Sequence, residues 1–380
     1  MPALSRSDAA GKLTPRLMKF LFPWICVWAG LCGLCACQRS RALSPPKAVP
    51  TRIDGVVELN LMSFNVRYES PEDHDSHAWR NRIAGTVQMI RRQHPDCIGV
   101  QEALHGQVAD LGASLPDYEF FGVGRDDGNQ DGEYSGIFYR RDRFQPDTTD
   151  CGTFWLSDTP EQAGSRTWGN EIPRVAAWLR LVDLATDRRF YLFNTHWDHR
   201  HQESRERAAL LISQRIDARK HANEPMVLMG DFNSIESNPG IVYLTGGRVL
   251  LAGSEQIWSN GLLDSYQALH AGEKNRRTLH FWRDSREGFL KVDHILVSRG
   301  AEIEAAEIVS GDKPMISDHF PVTTQAEISA NPVAHGIRVN PVRAAFLPPR
   351  YNPVTRCPHR GCVGSSGALQ ACCAGRSPGR

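Results

Sequence analysis

Between residues 56 and 328, short runs of strand-like pattern alternate with longer runs of helical period. The stretch VELNLMSFNV alternates apolar and polar side chains, the period of two that a strand requires. CIGVQE is a short apolar run ending at Glu102. EFFGVGR, YSGIFYRRDRF, AAWLRLVDL, RFYLFNTHW, MVLMGDFN, TLHFW, FLKVDHILVS and HFPVTTQAEI read as further strands, with ATDRR as a hairpin turn between the third and fourth of these. WRNRIAGTVQMIRRQHPD places Ile83, Val87 and Ile90 on one helical stripe and stops at Pro95, and QESRERAALLISQRIDARKH does the same with Ala208, Leu211, Ile212 and Ile216. No internal repeat of solenoid period is present. Many strands with a few interspersed helices predict two sheets packed face to face with helices outside, in one large domain.

The flanks have another character. Residues 20–37, FLFPWICVWAGLCGLCAC, carry no charge and follow Arg16 and Lys19, the pattern of an export signal. The run ends in LCAC, which resembles a bacterial lipobox with Cys37 as the lipidated residue, and Met18 offers a start that would give a signal of ordinary length. Pro23, Gly30 and Gly33 argue against the alternative, a membrane-spanning helix. The expected organisation is a signal peptide of lipoprotein type over 1–37, a linker over 38–55 containing SPPKAVP, the domain over 56–328, and a basic, disordered tail over 329–380. The chain is thus expected to be exported, as a lipid-anchored or a secreted or periplasmic protein.

Charge sharpens this division. The overall balance of +1 hides an acidic domain, with 29 basic against 41 acidic residues between 56 and 328, set between basic ends. Of ten cysteines only Cys97 and Cys151 fall in the domain, so it is not a disulfide framework, and Cys97 in DCIGV is expected to be buried. The tail spacing of Cys357, Cys362, Cys372 and Cys373 matches no standard zinc site.

The chemistry lies where the strands stop. Asn65 ends the first, Glu102 the second and His196 another, while GDFN places Asp231 and Asn233 at the end of MVLM. Asp293 lies in KVDHILV, and SDH supplies Asp318 and His319. One such placement is a turn or a cap; six are costly next to a core unless they converge on one site. Carboxylates and amides without cysteine suit a hard cation such as Mg²⁺, and Asp and His are general bases. No Ser or Cys nucleophile motif and no glycine-rich phosphate loop is present. Metal-assisted attack of water on a phosphate ester fits this set.

The motifs MSFNVRY, IGVQE, NTHWDH, GDFN, VDHILVS and SDHFPV, in this order over about residues 57–328, resemble the endonuclease/exonuclease/phosphatase superfamily, the deoxyribonuclease I-like proteins. The resemblance implies an α+β fold, a four-layer α/β/β/α sandwich, with Mg²⁺, or Mn²⁺ as the alternative, at one edge of the sheets. It implies Glu102 as the main metal ligand, Asn65 as its support, and Asp318 as a second carboxylate. It further implies Asp231 as the group that orients or deprotonates water, Asn233 and His196 on the phosphoryl oxygens, and His319, paired with Asp293, as base or transition-state stabiliser. Arg174 is a candidate phosphate contact, Glu133 a candidate neighbour of the metal, and Trp282 a candidate wall of the substrate pocket.

The acidic domain disfavours a grip on long nucleic acid, which needs basic surface along the backbone path. A small or lipid-linked phosphoester is the favoured substrate, and a 3'-5' exonuclease or endonuclease acting on nucleic acid is the alternative. A non-catalytic binding module on the same fold is the distant alternative. A lipid anchor would make the membrane a partner; no protein partner is implied.

Overall fold

A computed structural model describes residues 56–329. The expected signal and linker, and the tail apart from Ser329, lie outside the described residues. The elements are β1 (Val57–Asn65), α1 (Trp79–Gln93), β2 (Cys97–Ala103), α2 (His105–Ser114), β3 (Tyr118–Phe121), β4 (Tyr134–Arg140), β5 (Phe144–Trp155), β6 (Val175–Asp183) and β7 (Arg188–His196). They continue with α3 (Gln202–Asp217), β8 (Met226–Asp231), α4 (Pro239–Leu244), β9 (Val249–Leu251), β10 (Ser254–Gln256), β11 (Leu263–Asp264), α5 (Ser265–Leu269), β12 (Asp293–Val297), β13 (Glu302–Ile308) and β14 (Val322–Ile328).

Two six-stranded sheets, ordered β13-β14-β1-β2-β4-β3 and β11-β12-β8-β7-β6-β5, form the middle layers, and β9 and β10 make a small hairpin. Their facing sides enclose a core that includes Leu61, Cys97, Leu179, Leu192, Val227 and Ile295. Outside the first sheet, Trp79, Val87 and Ile90 of α1 and Leu111 of α2 cover Met62, Phe64 and Ile98. Outside the second, Ala208, Ile212 and Ile216 of α3 and Ile241 of α4 cover Tyr191, Phe193 and Leu228. This is the four-layer α/β/β/α sandwich that the motif order implied.

Each sheet has one parallel pair at its centre, β1 with β2 and β7 with β8, crossed by α1 and α3. Parallel pairing requires such a crossover, and it brings two consecutive strands to an end at the same edge. Asn65 faces Gln101 in the first pair, next to Glu102, and His196 faces Asp231 in the second. Antiparallel neighbours enter from that edge: Asp293 pairs with Asp231 as β12 begins, and β14 starts at Val322 opposite Ser63, just after His319. Topology alone therefore gathers the polar strand ends.

The two leaves are also tied by polar side chains. Gln101 Nε2 donates to Asn194 Oδ1 at 2.7 Å, and Asn194 Nδ2 donates to the Val100 and Gly136 carbonyls at 2.9 and 2.7 Å. Gly99 makes room for this contact, since a Cβ there would lie 2.6 Å from Asn194 Oδ1.

Some of the expected elements differ. TLHFW is not a strand: only Leu279 bridges to His319, and Phe281 and Trp282 adopt left-handed φ of 51° and 60°. β12 starts at Asp293, so FLKV precedes it as irregular chain. α2 and the edge strands β5 and β13 were not anticipated. β5 carries Pro146, Asp147, Thr148, Thr149 and Asp150 where its pairing is interrupted between residues 146 and 151, and β13 exposes Glu302, Glu304 and Glu307 along one side.

Candidate active site

The site is built on the paired strand ends. Asn65 Nδ2 donates to Glu102 Oε1 at 2.9 Å and to Asp231 Oδ2 at 3.0 Å, so one buried amide joins the two sheets' carboxylates. Glu102 Oε2 also accepts from the Tyr68 amide at 3.3 Å. Asn233 Nδ2 lies 3.0 Å from His196 Nε2 and donates to the Trp197 carbonyl at 3.0 Å, while its own amide donates to Asp231 Oδ1 at 2.8 Å. Because an amide nitrogen only donates, His196 Nε2 accepts, and the ring proton sits on Nδ1, which is buried with no hydrogen-bond partner.

Glu102 and Asn233 both take left-handed φ, 65° and 47°. Such conformations cost of order 1–3 kcal/mol and persist where the surroundings over-determine them. The GDF turn shows how: Gly230 must lack a side chain, since a Cβ would lie 2.1 Å from the Thr195 carbonyl oxygen, and Phe232 is wedged edge-on against Trp197 at 4.8 Å.

Opposite, His319 Nδ1 meets Asp293 Oδ2 at 2.9 Å, and its Nε2 lies 3.8 Å from Asp231 Oδ2. Burial disfavours the His319 cation, but Asp293, Asp231 and Asp318 outweigh it and raise the imidazole to about 10. Burial, with Asp293 nearby, raises the Asp231 carboxyl to about 7. His196 is held well below the ordinary histidine range by burial and by Arg174 and Arg125. Asp318 is raised by burial and by Glu102, against the pull of His319.

Among the described residues, two sets of carboxylate and imidazole atoms lie within 4.8 Å of one another: Glu102, His196 and Asp231, and Asp231, Asp293 and His319. Acidic oxygens converging around Asp231, with its carboxyl raised to about 7, are what a divalent cation would relieve. The donor set of oxygen and imidazole fits such an ion. Asp318, expected as a metal carboxylate, belongs to neither set. It is coupled in charge to Glu102 and Arg67, and its backbone carbonyl accepts from His280 and Phe281.

The remaining candidates divide. Arg174 is 3 % exposed. Its Nη2 contacts His199 Nδ1 at 3.0 Å and its Nε lies 3.9 Å from Asp198 Oδ2, but Nε and Nη1 have no hydrogen-bond partner. Glu133 is taken by Arg125, which donates to both of its oxygens at 2.6 and 2.8 Å, and burial raises its carboxyl to about 7 despite Arg125. Asp198 serves its loop, accepting from the Arg200 and His201 amides. Trp282 is half-buried and stacks on His77 at 4.0 Å, with Arg82 5.6 Å from its ring. Phe281, just before it, donates its amide to the Asp318 carbonyl, so Trp282 borders the segment carrying Asp318.

Two supports were not visible in the sequence. Arg82, buried in α1, donates to the carbonyls of His77, Val66, Arg67 and Ile316, knitting the loop after β1 to the segment before Asp318. In the sequence it reads as one arginine among the polar positions of a helix. Lys291, Asp264 and His294 form a buried triad behind the GDFN turn; their separation along the chain hides it.

Comparison with known proteins agrees with this geometry. The Endonuclease/Exonuclease/phosphatase family model matches residues 62–319. A solved structure of an endonuclease/exonuclease/phosphatase from Bacteroides vulgatus is 32 % identical, with a TM-score of 0.65, over 72 % of this chain and 100 % of that one. A mannosyl-6-phosphatase from Bacteroides thetaiotaomicron is 29 % identical, with a TM-score of 0.61, over 70 % of this chain and 99 % of that one. The uncharacterized protein L388 of Acanthamoeba polyphaga mimivirus is 26 % identical over 192 residues, 46 % of this chain and 67 % of that protein. With its sandwich fold and its gathered strand ends, this chain belongs to the endonuclease/exonuclease/phosphatase family of phosphoester hydrolases.

Proposed function

We propose that this chain is a Mg²⁺-dependent phosphatase that hydrolyses a phosphomonoester of a small molecule, with a sugar phosphate as the reference case. The observation that carries this reading is Arg174, a buried guanidinium with two nitrogens lacking hydrogen-bond acceptors. A buried unpaired donor costs about 1–3 kcal/mol, more when charged, and an incoming phosphate supplies the missing acceptors. A monoester has three terminal oxygens, one more than a diester, and so more acceptors for an added guanidinium. The mannosyl-6-phosphatase among its relatives supports the same class, and the acidic domain opposes long nucleic acid.

In this reading Mg²⁺, or Mn²⁺ in its place, is held by Glu102 with Asn65 and Asp318 nearby, and supplies Lewis-acid charge at the phosphoryl oxygens. Asp231 orients the attacking water and takes its proton. Asn233, with both side-chain N–H groups engaged by His196 Nε2 and the Trp197 carbonyl, offers its Oδ1 to the attacking water and holds His196 beside Asp231. His319, its Nδ1–H directed to Asp293, presents Nε2 as a donor to charge that develops in the transition state. The contacts of Asn65 with Glu102, of Asn233 with His196 and of His319 with Asp293 support these assignments.

Steady-state turnover of a hexose phosphate, an aryl phosphomonoester, the matching diester and an oligonucleotide tests the reading. Monoesters are expected to lead, and Arg174→Gln to lower their kcat/KM by about 10²-fold, the scale of one oriented donor. Faster cleavage of the diester or the oligonucleotide would assign the site to a phosphodiesterase or nuclease. Binding to duplex DNA is expected to be weak even at low salt. Tight binding with a log–log salt slope of about −0.9 per phosphate contacted would overturn that part.

A further inference from the structure

Behind the catalytic turn, on the side away from Asp293, three ionisable side chains are sealed from solvent. Lys291 and His294 are fully buried and Asp264 nearly so. Lys291 Nζ donates to Asp264 Oδ2 at 3.1 Å and lies 2.8 Å from His294 Nδ1, which is itself 2.7 Å from Asp264 Oδ2. His294 Nε2 lies 2.8 Å from the Ser234 carbonyl oxygen. A carbonyl only accepts, so the imidazole carries a proton on Nε2, and its Nδ1 faces both the Lys291 ammonium and the Asp264 carboxylate. Burial pushes the Asp264 carboxyl up, but Lys291 and His294 outweigh it and hold it below the usual carboxylate range.

A buried ion pair is weak evidence for stability, because its desolvation offsets its attraction; its best-attested use is to specify one arrangement. Here the arrangement it specifies is next to the chemistry. Ser234 follows Asn233, whose left-handed φ of 47° aims its amide at His196 and at the Trp197 carbonyl. Phe232, on the other side of Asn233, packs edge-on against both Trp197 at 4.8 Å and His294 at 5.5 Å. The turn is thus gripped at Trp197 and at His294. We propose that His294, fixed by Lys291 and Asp264, is a positioning residue for catalysis: it holds Asn233 in its working orientation by donating from Nε2 to the Ser234 carbonyl. The proposal rests on Asn233 contacting the attacking water through Oδ1, as assigned above, and reaches it by the route that outer hydrogen bonds take when they orient a functional group.

Three variants of the full chain test it. His294→Phe keeps a ring against Phe232 and loses the donor. It is expected to lower kcat by on the order of 10²-fold, the effect of a small misplacement, with KM changed less than about threefold. His294→Gln, whose amide can donate to Ser234, should recover most of that loss. In an Asn233→Ala background, His294→Phe should cause no further loss, because both changes remove one function. His294→Asn, too short to reach Ser234, takes the place of His294→Phe if the latter does not fold, with the same outcomes expected.

A crystal structure of the variant supplies a readout independent of turnover: Asn233 should leave His196 Nε2 and the Trp197 carbonyl. Wild-type kcat in His294→Phe, losses that multiply with Asn233→Ala, or an unmoved Asn233 would each overturn the proposal. Failure of the catalytic reading looks different. Asn233→Ala would then be fully active, or the wild-type chain inert on every phosphoester, while the position of Asn233 in the crystal would still decide the role of His294.

Discussion

Glu102→Gln is expected to remove nearly all turnover, by about 10³-fold or more, since Lewis-acid stabilisation of a phosphoryl transition state is worth several kcal/mol. The substitution removes a charge and leaves side-chain volume almost unchanged. Asn65 can still donate to the remaining oxygen, as it does to Glu102 Oε1 at 2.9 Å, so the variant should melt within a few degrees of wild type. The loss should come with loss of divalent binding by titration calorimetry. A fully active Glu102→Gln protein, or one that binds the cation as wild type does, contradicts the assignment of this carboxylate.

The second large effect is expected at His319. His319→Ala should cost on the order of 10² to 10⁴ in kcat, the range for a positioned proton donor or acceptor. Asp293→Asn keeps the shape that meets His319 Nδ1 at 2.9 Å and removes the charge, so it should cost less. The double variant should be no slower than His319→Ala alone, because the two act as one unit; losses that multiply would separate them.

The same pair sets a pH dependence in the metal-free protein. His319 is raised to about 10 and Asp231 to about 7, so the folded state binds more protons than the unfolded chain. The His319 contribution is complete below its unfolded value of about 6.5 and is lost as pH rises through about 10. The Asp231 contribution is lost as pH rises from about 4 through about 7. Below about 6.5 the buried His196 and His280, held under the ordinary histidine range, act in the opposite sense, so thermal melts of the chelated protein should fall as pH rises from about 7 toward 10, and His319→Ala should flatten that fall. A wild-type melting curve independent of pH over this range would contradict the raised values.

Much of the site was legible because a strand end is a local event. GDFN, NTHW and IGVQE each announce a polar group where apolar alternation stops, and parallel pairing does the rest: once β1 with β2 and β7 with β8 are placed, Asn65, Glu102, His196 and Asp231 share an edge. The fold's layers were legible for the same reason, since α1 and α3 carry clear apolar stripes. What escaped was non-local or depended on dihedrals. TLHFW has strand composition, yet the backbone turns at Phe281 and Trp282, and no side-chain pattern signals that. Trp282 was a pocket candidate by sequence proximity to VDHILV, but it stacks on His77, which no short-range pattern connects to it. Glu133, expected beside the metal, feels the charge of Glu102, but its bidentate bond to Arg125 was not legible in the sequence. The triad behind GDFN joins residues 264, 291 and 294 across an irregular loop, so its members read separately as a helix cap, a basic residue and a strand histidine.

The central claim is that the gathered strand ends direct water, with a divalent cation, onto the phosphorus of a phosphate ester. The most direct measurement is hydrolysis of a hexose phosphate in ¹⁸O-labelled water, following the released phosphate by ³¹P NMR with Mg²⁺ and with excess chelator. The expected result is one solvent oxygen in each phosphate released, and no release in chelator. Phosphate free of solvent oxygen, or release that persists without the cation, would contradict it.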